Sequence, residues 1–480
     1  MKVCVLLPDY SKSAVDYQHY DPPRDLSGLL PGHTVHHVAL NKLTTYRQLK
    51  QLARDGYDIF VNLCEGYLDW DTPSVDVIHA LEQLNLPYTG PPPALYDPSK
   101  VCMKYVAYTV GVRTPAYGLV RNADDARTLA ERLVFPLFVK PSHAGDSLGI
   151  DDASLVHDQQ ALLAKVNASI IDYDELLVEE YVNGREFTVL VLGSADPYAE
   201  CTALLPIEYR FPENRSFKTY ALKTSELHPE ANVPVGDAGL REQLQQAAAR
   251  IFTAFGGVGY ARLDFRMNAG NELFFLEINF TCSVFYSDGY EGSADHILNA
   301  DPVGQAGFAM HIIKEGIARY QRKQRPYSAQ GDGVSGYGIF AARALATGDM
   351  VYRGEEQALR LVTKRHVHSH WGELAQRNFR RYGVPLSDDI YALWSENPSD
   401  WAPQNHACNA NTAYDGLNVL ATRDIAVGEE LTLDYACLMN EESESFECSC
   451  SAAACRGIIR GVRGNSISAI EAVRKAALPA

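Results

Sequence analysis

Two adjacent segments constrain this 480-residue chain more than any other feature. Tyr260–Met267 (YARLDFRM) and Glu272–Asn279 (ELFFLEIN) are apolar runs joined by the turn Asn268–Asn271 (NAGN). Such runs, bounded by Asn and Gly, read as the two strands of a hairpin. Side chains alternate along a strand, so Arg262 and Asp264 share one face, as do Glu277 and Asn279. The hairpin therefore presents a guanidinium, two carboxylates and an amide oxygen to one point. Taken alone, it is either a metal- and phosphate-handling surface or a solvent-facing hairpin with a salt bridge.

The rest of the first half favours the former. Lys140 ends the strand-like run Phe135–Pro141 (FPLFVKP), and a small-residue loop containing Ser147 follows. Backbone N–H groups of such a loop can cradle phosphate oxygens. Glu179 and Val182 close the run Glu175–Val182, and Glu186 opens the run Glu186–Gly193, which offers an adenine edge and a ribose hydroxyl acceptor. Lys100 and Lys104 stand one helical turn apart, and Lys223 lies in a polar loop. A nucleoside triphosphate held between two β layers needs lysines for phosphate, a small-residue cover, and hard oxygen ligands for Mg²⁺. A lone lysine is usually a solvated group; these elements in consistent order are not.

Through SKVCMK, FPLFVKPSHAGDSLGI, LLVEEYVNGREFTV, ARLDF and FFLEIN, residues 1 to about 320 resemble the D-alanine–D-alanine ligase family of ATP-grasp enzymes. The resemblance implies Lys100, Lys140 and Ser147 near ATP phosphates, Glu179 and Val182 at adenine, and Glu186 at ribose. It implies Asp264, Glu277 and Asn279 on Mg²⁺, with Arg262 and Lys223 near the transferred phosphoryl group. In that chemistry a carboxylate takes the γ-phosphoryl group and an amine then displaces phosphate. Asp288 stands where the family offers a hydroxyl to a substrate carboxylate, which it would repel. Asp288 and Glu291 therefore point to a cationic or amino-rich second substrate.

After about residue 320 the chain changes character to short apolar runs with frequent Gly turns, the pattern of a mostly β domain. Gly336-Tyr337-Gly338 opens one run, Asn405-His406-Ala-Cys408-Asn-Ala-Asn411 follows, and Gly428-Glu-Glu-Leu-Thr-Leu-Asp434-Tyr435 comes third. Singly, the first is a turn and the third a hairpin. With Cys448-Ser-Cys450-x4-Cys455 they resemble SET-domain methyltransferases with a post-SET zinc motif. The resemblance implies S-adenosylmethionine held by the 336–338 strand and by Asn405 and His406. It also implies Tyr435 beside the transferred methyl, and a Cys4 zinc site of Cys408, Cys448, Cys450 and Cys455. His366, His368 and His370 read as a solvated loop.

Cysteine usage agrees. Cys4, Cys64, Cys102, Cys201 and Cys282 are scattered among apolar segments, where thiols act as small buried hydrophobes. The cluster at 448–455 reads as metal before disulfide in a cytosolic protein. A formal net charge of −17 argues against direct nucleic-acid binding and suits a cationic substrate. No apolar run is long enough for a membrane span, and the start MKVCVLLPDYSK reads as a buried strand rather than a leader. The expected location is cytoplasmic, or nuclear in company with a partner.

The expected fold class is α/β ATP-grasp, with a parallel-sheet N-terminal subdomain and two α+β subdomains, followed by a mostly β SET domain. The expected boundaries are 1–96 for the N-terminal α/β subdomain, 97–322 for ATP-grasp and 323–333 for a linker. SET occupies 334–445, the zinc motif 446–463 and a terminal helix 464–480. The expected function is a bifunctional enzyme, an ATP-dependent carboxylate–amine ligase coupled to an S-adenosylmethionine-dependent N-methyltransferase. Its substrates would be small and amino-acid-like. The alternative is a protein-lysine methyltransferase whose ATP-grasp half recruits or regulates. Homodimerisation is an expectation from the ligase resemblance only.

Overall fold

The first apolar run forms β1 (Lys2–Pro8), paired in parallel with β2 (Thr34–Leu40) and β3 (Ile59–Asn62) in the order β2-β1-β3. The computed structural model describes residues 1–11, 21–66, 71–143, 149–196, 199–211, 217, 231–331, 336–357, 360–393 and 402–461. Its chain divides into two units, Met1–Arg322 and Lys323–Ala480.

In the first unit, one face of the parallel sheet buries Cys4, Leu6 and Phe60 with helices α1 (Thr45–Leu52) and α2 (Val75–Gln83). Helix α3 (Lys100–Thr109) starts where the Ser99 hydroxyl accepts from Cys102 N at 3.2 Å. Its buried residues Lys100, Met103, Lys104 and Ala107 fall at helical spacing. Two lysines are thus driven inward by the apolar positions between them.

A second sheet has the order β4-β7-β5-β6 and comprises β4 (Tyr117–Val120), β5 (Leu137–Pro141), β6 (Leu155–Val156) and β7 (Leu176–Glu180). Helices α4 (Ala123–Ala130) and α5 (Gln159–Ser169) back it. The third sheet holds β8 (Gly184–Leu192), β9 (Thr202–Ala203), β10 (Ile207–Tyr209), β11 (Asn232–Pro234), β12 (Tyr260–Asn268) and β13 (Leu273–Asn279). Its order is β11-β10-β8-β12-β13, with β9 against β8. Helix α6 (Ala238–Ala254), N-capped by Asp237 at 2.7 Å to Leu240 N, buries Leu244, Ala247, Ala248, Ile251 and Phe252 on that sheet. Helices α7 (Ser293–Ala300) and α8 (Gly304–Lys323) pack against the other face of the parallel sheet. The expected architecture of a parallel sheet followed by two α+β subdomains is thus present in this unit.

The second unit is mostly β, as expected. β14 (Tyr327–Gly331) pairs antiparallel with β15 (Tyr337–Ala341), so the stretch 323–333 read as a linker carries a strand. Tyr327, buried at 8% exposure, anchors it in the core with Ile339, Leu431 and Leu433. β16 (Met350–Tyr352), β17 (Arg360–Thr363), β18 (Val384–Pro385) and β19 (Ile390–Leu393) follow. Between β17 and β18 lie α9 (Lys364–His370) and α10 (Glu373–Tyr382). His366, His368 and His370 are exposed, as expected, but on a helix, which Thr363 caps by accepting from His366 N at 3.2 Å. β20 (Asn405–His406), β21 (Thr412–Asp415), β22 (Asn418–Ala421), β23 (Thr432–Leu433), β24 (Phe446–Glu447) and β25 (Ile458–Ile459) complete the unit. The expected helix at 464–480 lies outside the described residues. Among the described residues no helix is long and apolar enough to cross a membrane.

Candidate active sites

In the hairpin of the first unit, Arg262 stands opposite Asn279 and Asp264 opposite Glu277. Directly opposed residues of antiparallel strands share a face, so the four groups inferred from alternation do converge. Arg262 makes two bonds to Asp264, Nε to Oδ1 at 3.2 Å and Nη2 to Oδ2 at 3.1 Å. Burial alone would lower the Arg262 pKa, but Asp264 more than offsets it and the guanidinium is held charged. The Asn279 amide oxygen accepts from Thr281 N at 2.9 Å, which fixes its direction. On the neighbouring strand Thr188 is paired with Asp264. Its buried hydroxyl has no hydrogen-bond partner among the described residues. Two opposed carboxylates, an amide oxygen and an unused hydroxyl form a hard-oxygen donor set, and this fits Mg²⁺.

The second sheet supplies cations. Glu179, on central strand β7, is 4% exposed and lies between two lysines. Lys104 Nζ donates to Glu179 Oε2 at 2.6 Å, and Lys140 Nζ pairs with Oε1. Burial pushes the Glu179 carboxyl up, but the two ammonium groups bring it down to about 2. Lys100 is buried beside them, and its pKa is lowered first by desolvation and then by Lys140, against the pull of Glu277 and Asp97. The cluster carries more cation than anion, which suits a polyphosphate. Lys104 was visible in the sequence one turn after Lys100, but only the fold shows it on Glu179. Val182 is buried at 9%. Glu186 lies across from Arg266, 3.9 Å away, and Arg266 stacks over Tyr181 at 4.7 Å. Ser147 and Lys223 lie outside the described residues.

Beyond Asn279 the chain enters a loop tied to the N-terminal subdomain. The Ser283 hydroxyl donates to Glu65 at 2.5 Å. Arg24 donates to Glu65 at 2.8 Å, to Leu63 O at 2.8 Å and to Val284 O at 3.3 Å. Asp295 accepts from Phe285 N at 2.7 Å and Gly292 N at 3.1 Å, and burial raises its carboxyl to about 7. Burial likewise raises Glu65 to about 7. Arg24 and Asp295 gave no local signal, since their roles arise from contacts across the fold. Asp288 is exposed, and Glu291 accepts from Gly289 N at 2.7 Å.

In the second unit Gly338 lies against Asn405 and Glu430. A Cβ there would fall 2.5 Å from Glu430 Oε1 and 2.8 Å from Asn405 Nδ2. Gly336 has φ +100°, in the region that favours glycine. Asn405 Nδ2 donates to Tyr337 O at 3.2 Å and Glu430 Oε1 at 2.8 Å. Strand β20 lies parallel to β23, pairing Asn405 with Thr432 and His406 with Leu433. The three motifs thus meet. Buried Asn411 fastens them by donating to Glu430 O at 2.8 Å and accepting from Thr432 N at 2.8 Å. Tyr435 Oη donates to Gln404 O at 2.5 Å, and burial pushes the phenol up to about 12. It remains protonated at neutral pH. A glycine-lined edge beside the Asn405 amide fits a ligand that approaches backbone closely, as S-adenosylmethionine must.

Ligand atoms of His406, Cys408, Cys448 and Cys450 all lie within 4.8 Å of one another. Cys455 is not in that group; its Sγ lies 4.0 Å from Cys448 O. His406 Nδ1 accepts from Tyr435 N at 3.1 Å, so the neutral ring carries its proton on Nε2, which faces Cys408 Sγ at 3.4 Å. A metal on Nε2 would force the proton onto Nδ1 and against the Tyr435 amide. His406 is therefore a hydrogen-bond donor to the thiolate in this arrangement. Cys408 is brought down to about 7, first by the Arg456 backbone N–H and then by its guanidinium, while burial pushes Cys448 up to about 12. Three thiols gathered with thiolate-favouring donors fit Zn²⁺. Among the scattered cysteines Cys4, Cys64 and Cys282 are buried, but Cys102 is exposed and Cys201 half-buried.

Residues 106–284 match the family described as D-ala D-ala ligase C-terminus, and residues 336–436 match the SET domain. Over 281 residues the chain is 34% identical to a D-alanine--D-alanine ligase of Bordetella petrii, covering 56% of this chain and 82% of that protein. Over 286 residues it is 31% identical to that of Bordetella pertussis, covering 56% and 85%. Among solved structures, the D-alanine-D-alanine ligase from Coxiella burnetii aligns with TM-score 0.49 and 17% identity, over 68% of this chain and 97% of that one.

Proposed function

Because this chain belongs to the D-alanine–D-alanine ligase family and continues into a SET domain, we propose that one polypeptide carries two activities. The first joins a carboxylate to an amine at the expense of ATP; the second moves a methyl group from S-adenosylmethionine to nitrogen. The observation that carries the first is the opposed pair Asp264 and Glu277, with Arg262 and Asn279 on the same face.

In the ligase half, Asp264, Glu277 and Asn279 would hold Mg²⁺, which when bound neutralises phosphate charge and orients the γ-phosphoryl group. Lys140 and Lys100 bind phosphate oxygens, while Lys104 holds Glu179 and keeps the wall rigid. Arg262, locked by Asp264, faces the charge that grows on the transferred phosphoryl and then on the oxygen of the tetrahedral intermediate. Val182 and Glu179 border adenine and Glu186 meets ribose, and the family resemblance assigns Ser147 to the ATP phosphates and Lys223 to the transferred phosphoryl group. The loop held by Arg24 and Asp295 borders the acceptor amine. Asp288 and Glu291 on that loop favour an amino-rich acceptor over the D-alanine named for the relatives.

In the methyltransferase half, Gly336, Tyr337, Gly338, Asn405 and His406 border S-adenosylmethionine, whose sulfonium supplies the methyl. Methyl transfer is an in-line displacement, so positioning is the main task. Tyr435, a neutral phenol fixed on Gln404 O, orients the incoming amine, which must arrive deprotonated. Cys408, Cys448 and Cys450 would hold Zn²⁺, with Cys455, beside Cys448, as the fourth thiol of the expected set and His406 donating to Cys408. Both substrates are small and amino-acid-like, and a shared chain raises their effective concentration.

The test is incubation of the full chain with ATP, labelled methyl donor and a panel of free amino acids, followed by ADP measurement and mass spectrometry. Amino-acid-stimulated ADP release with label in a small amide supports the reading. Label confined to protein lysines, with no amino-acid dependence of ADP release, would overturn the coupling and leave a protein methyltransferase.

A further inference from the structure

Arg456 follows the last cysteine of the tail and makes contacts in two directions. Its backbone N donates to Cys408 Sγ at 3.4 Å and its Nε to the same sulfur at 3.5 Å. Its Nη2 donates to Asp434 Oδ1 at 2.5 Å. Asp434 Oδ1 in turn accepts from Ala436 N at 3.1 Å and caps the turn Tyr435–Cys437. The same sulfur faces His406, whose other nitrogen accepts from Tyr435 N. Both routes away from Cys408 therefore end on the short turn that carries Tyr435. The guanidinium suits this bridging because its donors form a fixed planar fork. A lysine is a point charge and could serve the sulfur or the carboxylate, but not both in this geometry.

We infer that Arg456 is a positioning residue that clamps the cysteine cluster onto the Asp434–Tyr435 turn, so that filling of the metal site is felt where Tyr435 and the methyl donor meet. This rests on the metal and methyltransferase readings above. Arg456 acts through its contacts with Asp434 and Cys408. Groups that hydrogen-bond to metal ligands tune them, and their loss typically changes metal affinity about 10- to 100-fold.

The experiment uses the full chain loaded with Co²⁺, whose thiolate charge-transfer band reports the donor strength of the sulfurs. Arg456→Gln, Arg456→Lys and Asp434→Asn are compared with the parent, together with S-adenosylmethionine affinity by calorimetry in metal-loaded and chelator-stripped protein. Arg456→Gln should retain metal stoichiometry, shift the band to longer wavelength and release metal to a chromogenic chelator about tenfold faster. The metal-dependent gain in S-adenosylmethionine affinity should also shrink. Asp434→Asn does not touch the sulfur, so it should leave the band in place and still diminish the gain. Arg456→Lys should restore one readout at most. An unmoved band and an unchanged gain in Arg456→Gln would overturn the inference. A parent chain that takes up no metal would sink the metal reading instead, and one that takes up metal but binds no methyl donor would sink the methyltransferase reading. Should Arg456→Gln fail to fold, the contrast between band and affinity in Asp434→Asn still decides: a moved band, or an unchanged gain, counts against the clamp.

Discussion

Asp264 and Glu277 face each other as direct cross-strand partners on the hairpin, with Arg262 bound to only one of them. Like charges placed opposite each other destabilise a sheet, typically by roughly 0.2–1 kcal/mol. A divalent cation between them would remove that repulsion, in keeping with the proposed Mg²⁺ role of the pair. Glu277→Gln should lower ADP formation by about 10²-fold or more, the scale of losing one preorganised electrostatic group, and leave methyl transfer unchanged. Parallel assays of ADP and S-adenosylhomocysteine check this. Loss of both products would show that the sites are not independent.

Glu179 contributes stability with a definite pH signature. Its folded pKa, about 2, lies below the ordinary 4.5. A depressed carboxyl stabilises the fold above its unfolded pKa, and that stability drains as pH falls from about 4.5 towards 2. The difference amounts to roughly 3 kcal/mol. Urea denaturation from pH 7 to pH 3 should show this slope in the parent chain, and Glu179→Gln should flatten it. At pH 7 the same variant should lose about 3–5 kcal/mol, because Lys104 and Lys140 are left without their carboxylate.

Gly338→Ala places a methyl within 2.8 Å of the Asn405 amide and closer still to Glu430. Both groups line the edge assigned to the methyl donor. The variant should bind S-adenosylmethionine at least about tenfold more weakly, or about 1.4 kcal/mol, with ATP affinity intact. Calorimetry with each nucleoside compound separates the two effects.

Tyr435→Phe removes the hydroxyl that donates to Gln404 O and leaves the ring in place. Methyl transfer should fall by about 10²-fold with little change in donor affinity, while amino-acid-dependent ADP release is untouched. Chelation should remove one zinc ion per chain and disable methyl transfer alone, as elemental analysis before and after dialysis would show.

How much of this was legible beforehand depended on how local the physics is. Arg262, Asp264, Glu277 and Asn279 could be placed on one face because strand alternation is a property of the segment itself. Lys100 and Lys104 could be placed on one helical face for the same reason, yet the role of Lys104 required Glu179, 75 positions away. Arg24 gave no signal at all, because its partner Val284 is 260 positions along the chain. The cysteine spacing announced a metal cluster but not the arrangement around it. The orientation of His406 is set by the Tyr435 amide, 29 positions on, and only the fold brings the two together. Residues 323–333 were misread because charged and Gly-rich composition outweighed one buried anchor, Tyr327.

The central claim is that two nucleoside pockets coexist in one chain, one built on the hairpin acids and one on the glycine edge beside Asn405. Calorimetric titration of the full-length protein, first with ATP in the presence of Mg²⁺ and then with S-adenosylmethionine, tests it most directly. The account predicts one binding event for each compound, with Glu277→Gln weakening the first alone and Gly338→Ala the second alone. Absence of heat for either compound, or one variant abolishing both, would contradict it.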